Sequence, residues 1–322
     1  MRITVLGCGS IGQRHLRNLY ALGYTDLVAF DPVPTAHTAI GQELGINHYS
    51  TLTEVWDTHP NVAFITAPSH LHIDLALEAT KHHCHIFIEK PLSHTLENTD
   101  TLYNETNQRQ LITMVGCTMR FHPGPAQIKK LIERGVLGHI LSARIETGSY
   151  LPGWRPHLDY RDSYSASVVQ GGGAIMDQIH EIDLALWYFG RGQVKGAVSL
   201  PAQTLDIAVE GLAELLILHD SGILSSVHLN FVQRDYRRSC QIIGSEGTLY
   251  WDFQAGQVSH YKNDNTWEIF HQPDDWTINQ MYVDEISYFM ECITNQQSTF
   301  NDITQAQTAL DVALAAKQSI LE

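Results

Sequence analysis

Three groups of residues in this chain have the type and spacing to do chemistry. Gly7, Gly9 and Gly12 form GxGxxG directly after the apolar run 3–6, a turn that brings backbone close to a diphosphate and aims unpaired helix N–H groups at it. Lys90 stands between Glu89 and Pro91 just after the apolar run 85–88, an ammonium group at the strand end where doubly wound sheets bind ligands. Asp177 and His180 lie three apart near the start of a helical pattern, hence about 60° apart around a regular helix and able to face one ligand. Imidazole titrates near neutrality, so His180 suits general acid–base work, with Asp177 orienting it or a ligand.

The elements that must position these residues are legible around them. Residues 1–31 read as strand, glycine turn, helix, strand: apolar Ile11, Leu16, Leu19, Tyr20 and Leu22 recur at helical spacing until Gly23, and a second apolar run, 27–30, ends in Asp31. Gly7 permits the tight turn, Gly9 admits a pyrophosphate, Gly12 lets helix and strand pack, and the first helical N–H groups, those of Ser10 and Ile11 among them, face the phosphates. Asp31 suits the hydroxyls of an adenosine ribose and repels a 2′-phosphate, so NAD is the expected cofactor. Arg14 and His37 keep NADP open. Helical patterns over 37–44, 53–56, 73–82 and 95–109 then alternate with strand patterns over 61–66, 85–88 and 111–115, which predicts a doubly wound parallel sheet over residues 1–120.

Beyond Phe121 the period changes. A helix over 125–134 is followed by runs of period-two alternation at 140–147, 194–200, 207–218, 222–231, 239–243, 248–251 and 257–261. Turn residues at 219–222 and 244–247 join several of them, which predicts a large open antiparallel sheet. One helix is expected over 174–189, and two more, 281–294 and 305–321, close the chain. The expected domains are thus a nucleotide-binding unit, 1–120, and an α+β unit, 121–322, with a boundary near 118–124 of the kind where ligands bind.

Composition narrows the partners. With 35 acidic against 20 Lys and Arg residues the formal charge is −15, a field that repels nucleic acid and anionic membranes. The five cysteines are scattered without a CxxC pair, which reads as reduced thiols. The core strand starts at Ile3 and no apolar run approaches membrane-spanning length, so neither a leader nor a membrane span is expected and the location read from this is cytoplasmic. Eighteen histidines raise the question of a metal, but HExD at 180–183 lacks the HExxH spacing, and no metal is expected.

Further candidates surround this frame. Arg120 and His122, in MRFHP after the last parallel strand, enter the expected boundary. The aperiodic segment 150–164 carries Trp154, Arg155, His157, Tyr160, Arg161 and Tyr164, a mixture that grips sugars or anions by stacking and guanidinium contacts or is simply a solvated crossover. Glu89 either holds the strand-to-loop turn or reaches cofactor hydroxyls.

Over essentially its whole length the chain resembles the glucose-fructose oxidoreductase, inositol dehydrogenase and rhizopine catabolism (Gfo/Idh/MocA) family of NAD(P)-dependent oxidoreductases. The resemblance rests on GCGSIGQRH at 7–15, ITAPSHLH at 65–72, EKP at 89–91, MRFHP at 119–123, GGGAIMDQIHEIDLALW at 171–187 and IIGSEGTLYWD at 242–252. It implies that Lys90 bonds the reacting oxygen beside the nicotinamide, that the Lys90–Pro91 peptide is cis, and that Thr66, Pro68, His70 and His72 lie along the cofactor. It also implies a homodimer or homotetramer joined through the open sheet. The interval from Asp177 to His180 is three where the family usually has four, so the match at His180 is the firmer one. The implied reaction is hydride transfer between NAD(P) and a secondary alcohol or ketone of a sugar, sugar acid, cyclitol or nucleotide sugar. The alternatives are a glycosidase that oxidises transiently and a catalytically silent NAD(P)-binding sugar sensor.

Overall fold

The computed structural model describes residues 1–156 and 159–318. They divide into two compact units, 1–118 with 278–307 and the described residues of 119–277 with 308–318.

In the first unit, strands β1 (Ile3–Leu6), β2 (Leu27–Phe30), β3 (Asn47–Tyr49), β4 (Val62–Ile65), β5 (His85–Glu89) and β6 (Thr113–Gly116) form one sheet in the order β3-β2-β1-β4-β5-β6. Every pair is parallel. β1, β2 and β4 are buried along their whole length, as strands covered by helices on both faces must be. The crossovers contain α1 (Ser10–Ala21), α2 (Pro34–Leu44), α3 (Leu52–Trp56), α4 (His72–Lys81) and α5 (Thr99–Gln108). α2 follows the helix-boundary rules closely: Pro34 opens it with a preset φ, and Gly45, at φ 65°, closes it in the left-handed region. β3 is too short and polar for its sequence pattern to reveal.

In the second unit come α6 (Pro123–Glu133), β7 (Ile140–Tyr150), α7 (Ala174–Asp177), α8 (His180–Phe189), then β8 (Gly192–Pro201), β9 (Glu210–His219), β10 (Leu224–Asn230), β11 (Val232–Gly244), β12 (Gly247–Asp252), β13 (Gln257–Lys262) and β14 (Trp267–His271). The sheet runs β14-β13-β12-β11-β7-β10-β9-β8. Its alternation is plain in β9, where Ala213, Leu215 and Ile217 are fully buried while Glu214, Leu216 and Leu218 face outward. Two features depart from expectation. β10 pairs with β7 in parallel, so the sheet is mixed rather than wholly antiparallel, and β14 is an added edge strand whose exposed residues carry little alternation.

The helix expected over 174–189 is also two helices. Backbone at Gln178 (φ −98°, ψ 30°) leaves the helical region, and its side-chain amide donates to Asn230 O at 3.0 Å and Ser149 Oγ at 3.4 Å. A side chain drawn onto the sheet breaks the regular turn.

The chain crosses between units three times, so a single cut near 120 describes only the first crossing. Helix α9 (Ile278–Asn295) returns to the first unit, where Asn279 and Asn18 of α1 exchange amide hydrogen bonds. Asn301 then pairs with Val115 of β6 through backbone and side chain. Helix α10 (Ile303–Gln318) begins in the first unit and ends in the second. Among the described residues no helix is long and apolar enough to cross a membrane.

Candidate active site

In the first unit the three glycines of the turn answer to three different demands. Gly7 has φ 107°, and a Cβ there would lie 2.7 Å from Ala67 N. Gly12 is pressed against β1, where a Cβ would overlap the Gly7 carbonyl oxygen. Gly9 has ordinary extended backbone (φ −66°, ψ −170°) and open space where its Cβ would be. Nothing inside the protein therefore requires glycine at position 9; a ligand approaching from outside would. No side chain caps α1, whose first N–H groups, with Ser10 exposed and Ile11 half-buried beside them, are left to solvent or a ligand.

Asp31 is fixed at the end of β2 by two backbone donors, Cys8 N–H to Oδ2 and Val33 N–H to Oδ1, both 2.9 Å. The carboxylate is thus tied to the glycine turn itself. Of the two cations that keep NADP open, His37 is 4% exposed with its ring nitrogens engaged by His48 (3.0 Å) and Ser50 (2.9 Å). Burial, then His48, lowers its pKa, so it is a poor phosphate partner. The Arg14 guanidinium lies over the Tyr282 ring at 4.5 Å.

The ends of β4 and β5 share this sheet edge. Thr66 is buried and its hydroxyl donates to Gly7 O (2.6 Å), so it braces the turn. Pro68 is exposed and His70 half-buried. His72, 1% exposed, bridges Ala67 O (2.7 Å) and Pro91 O (2.9 Å), tying one loop to the other; burial lowers its pKa against those two carbonyls. Glu89 is 8% exposed and accepts from His15 Nε2 at 2.7 Å and from Lys90 N–H at 3.2 Å. Burial opposes its ionisation, but His15 and Lys90 outweigh it and hold the carboxyl below its usual range. Lys90 is half-buried and its peptide to Pro91 is cis.

In the second unit, Asp177 ends α7 and accepts from Tyr164 Oη (2.8 Å) and Ser165 Oγ (2.6 Å), anchoring the segment that precedes it. His180 is the half-buried first residue of α8. Because the helix breaks between them, the 60° relation of a regular helix does not apply. Arg120 makes a two-pronged pair with Asp183, Nε to Oδ2 at 2.9 Å and the terminal nitrogen to Oδ1 at 2.6 Å, with both side chains at most 4% exposed. His122 caps α6, accepting from Gly124 N–H (3.1 Å), and is boxed by Trp251, Phe253 and Trp276 with ring centroids 4.6–5.3 Å away. Burial and the Arg238 guanidinium push its pKa down to about 3. Arg120 is thus occupied internally, whereas His122 Nε2 is buried without a hydrogen-bond partner among the described residues.

Within 150–164, Trp154 is 40% exposed and donates to Ser149 Oγ (3.1 Å), and Tyr160 donates to Leu205 O (2.9 Å). Arg161 pairs with Asp159, and Arg155 lies 5.9 Å from the Tyr164 ring. His157 lies outside the described residues.

Two family models match the chain: the NAD-binding Rossmann fold of the GFO_IDH_MocA oxidoreductase family over residues 1–117, and the GFO/IDH/MocA C-terminal domain over 126–250. The chain belongs to the Gfo/Idh/MocA family. It is 25% identical to scyllo-inositol 2-dehydrogenase (NAD(+)) of Bacillus subtilis strain 168, over 99% of this chain and 94% of that one. Identity to levoglucosan dehydrogenase of Pseudarthrobacter phenanthrenivorans is 33%, over 62% of this chain and 53% of the relative. A solved levoglucosan dehydrogenase in complex with NADH and levoglucosan has the same fold, with TM-score 0.89 and 20% identity over 99% of this chain and 96% of that one.

As a Gfo/Idh/MocA oxidoreductase the chain carries an NAD-binding Rossmann unit, and its residues fit that cofactor. The open space at Gly9 admits a diphosphate, and Asp31, with no cationic neighbour at His37, suits an unphosphorylated ribose. Sequence reasoning missed His15, the pairing of Asp183 with Arg120 and the Tyr164–Ser165 anchor on Asp177. His15 shares a helical stripe with Gly12, Leu16 and Leu19, a signal that could have found it. The other contacts span 12 to 63 residues and leave no local mark.

Proposed function

We propose that this protein transfers hydride between NAD and a secondary alcohol or ketone of a sugar, sugar acid, cyclitol or nucleotide sugar. The observation that carries the reading is that Lys90 ends β5 at the same sheet edge as the glycine turn after β1, two strands away in the order β1-β4-β5. The relatives named above act on an inositol and on levoglucosan, which supports a polyhydroxylated ring as substrate.

Bound NAD supplies the hydride acceptor in oxidation and the donor in reduction. Lys90 donates a hydrogen bond to the reacting oxygen and stabilises the charge that builds there. His180 takes the hydroxyl proton in oxidation and returns it in reduction. Asp177 is a positioning residue, holding the Tyr164–Ser165 segment ahead of His180 through its two hydroxyl contacts. Trp154 offers an exposed aromatic face to a sugar ring, and Arg155 favours substrates bearing a carboxylate or phosphate. The chain acts as a homodimer or homotetramer, for which the exposed Leu216, Leu218 and Leu224 of the sheet's outer face provide apolar surface.

The test is NADH absorbance during incubation with NAD and a panel of inositols, anhydrosugars, sugar acids and nucleotide sugars. Stoichiometric NADH with at least one class is expected. Glycoside cleavage without net NADH would replace the proposal by the redox-neutral glycosidase, and NAD binding with no hydride exchange across the panel would replace it by a sensor.

A further inference from the structure

His15 lies one helical turn beyond Gly12 on α1 and is completely buried. The rings of Phe64, Phe87 and Tyr282 surround it with centroids at 5.5, 5.2 and 6.3 Å. Its Nε2 is 2.7 Å from Glu89 Oε1, and the other oxygen of that carboxylate accepts the backbone N–H of Lys90. A carboxylate only accepts, so Nε2 carries the hydrogen. In surroundings this apolar such a bond is strong, and without it the carboxylate would keep the Lys90 backbone N–H but lose its side-chain donor. One side chain thus links the helix that follows the glycine turn to the residue before Lys90.

We infer that His15 and Glu89 form a buried strut that sets the backbone of Lys90 relative to the dinucleotide turn, which makes His15 a positioning residue. This rests on the proposal that Lys90 bonds the reacting oxygen. The strut acts on where the ammonium group sits, not on how tightly NAD binds, because neither residue reaches the glycine turn's N–H groups.

The test compares His15→Leu, His15→Gln, Glu89→Gln and the double variant His15→Leu/Glu89→Gln, with Lys90→Met as reference. His15→Leu is expected to lower kcat about 100-fold while the Kd for NAD, measured by calorimetry without substrate, changes less than about threefold. His15→Gln, whose amide can donate to Glu89, is expected to recover at least about tenfold of that loss. The double variant loses no more than His15→Leu alone, and urea midpoints of the NAD-free proteins show the same non-additivity. A His15→Leu enzyme within about threefold of wild-type kcat, or equal losses in kcat and NAD affinity that add across the pair, overturns the strut. Full turnover by Lys90→Met instead overturns the reading beneath it, and the urea cycle tells the two failures apart.

Discussion

The glycine turn of the first unit and the Asp177–His180 segment of the second are both short polar stretches that carry the proposed chemistry, yet they are built differently. In the turn, each glycine meets a demand set by adjacent elements: φ at Gly7, the Gly7 carbonyl at Gly12, open space at Gly9. Spacing alone dictates that geometry. Between Asp177 and His180 the spacing dictates little, because Gln178 is drawn to Asn230 and Ser149 and the helix breaks. A site built on local backbone rules can be read from its residues in order; one built on distant side-chain contacts cannot.

The largest test of that contrast lies in the second unit, where Asp183 balances Arg120. Asp183→Ala removes both hydrogen bonds of a buried charge pair and should cost about 3–5 kcal/mol, read as a lowered urea midpoint. A change under about 1 kcal/mol would show that the long-range pairs do not shape this unit, since exposed pairs behave that way. In the turn, Gly12→Ala should destabilise by about 1–3 kcal/mol through overlap with the Gly7 carbonyl. The sign is the diagnostic point, because the same substitution in an unobstructed helix stabilises by about 1 kcal/mol.

His122 gives the smallest effect near neutrality. Its folded pKa of about 3 lies below the ordinary 6.5, so between those values the unfolded chain binds a proton that the folded chain refuses. Stability should fall as pH drops through that window, by about 1.4 kcal/mol per pH unit at most, and the term vanishes above pH 7. His122→Asn keeps a cap for Gly124 and should flatten the slope measured by urea unfolding from pH 7 to 4. An unchanged slope would mean the imidazole titrates normally inside its aromatic box.

The same division explains what was legible. The alternation of parallel strands with helices, the glycine turn, Asp31 and the position of Lys90 follow from apolar runs and turn residues close to one another in the chain. Arg120 and His122 stand out in the sequence as site candidates, but their residue types say nothing of whether a ligand or another side chain answers them; Asp183 pairs with the first and Trp251 packs on the second. The return of α9 to the first unit rests on Asn18–Asn279, 261 residues apart, and the parallel β7–β10 pair on a register that turn chemistry does not encode.

The central proposal is that Lys90 and His180 serve a single hydride transfer. Its most direct test is to measure NAD binding and NADH formation together in Lys90→Met and His180→Asn, using whichever polyol the wild-type protein oxidises. Both variants should bind NAD as the wild type does and lose turnover by at least about 100-fold. NADH formation near the wild-type rate by either variant would contradict the account.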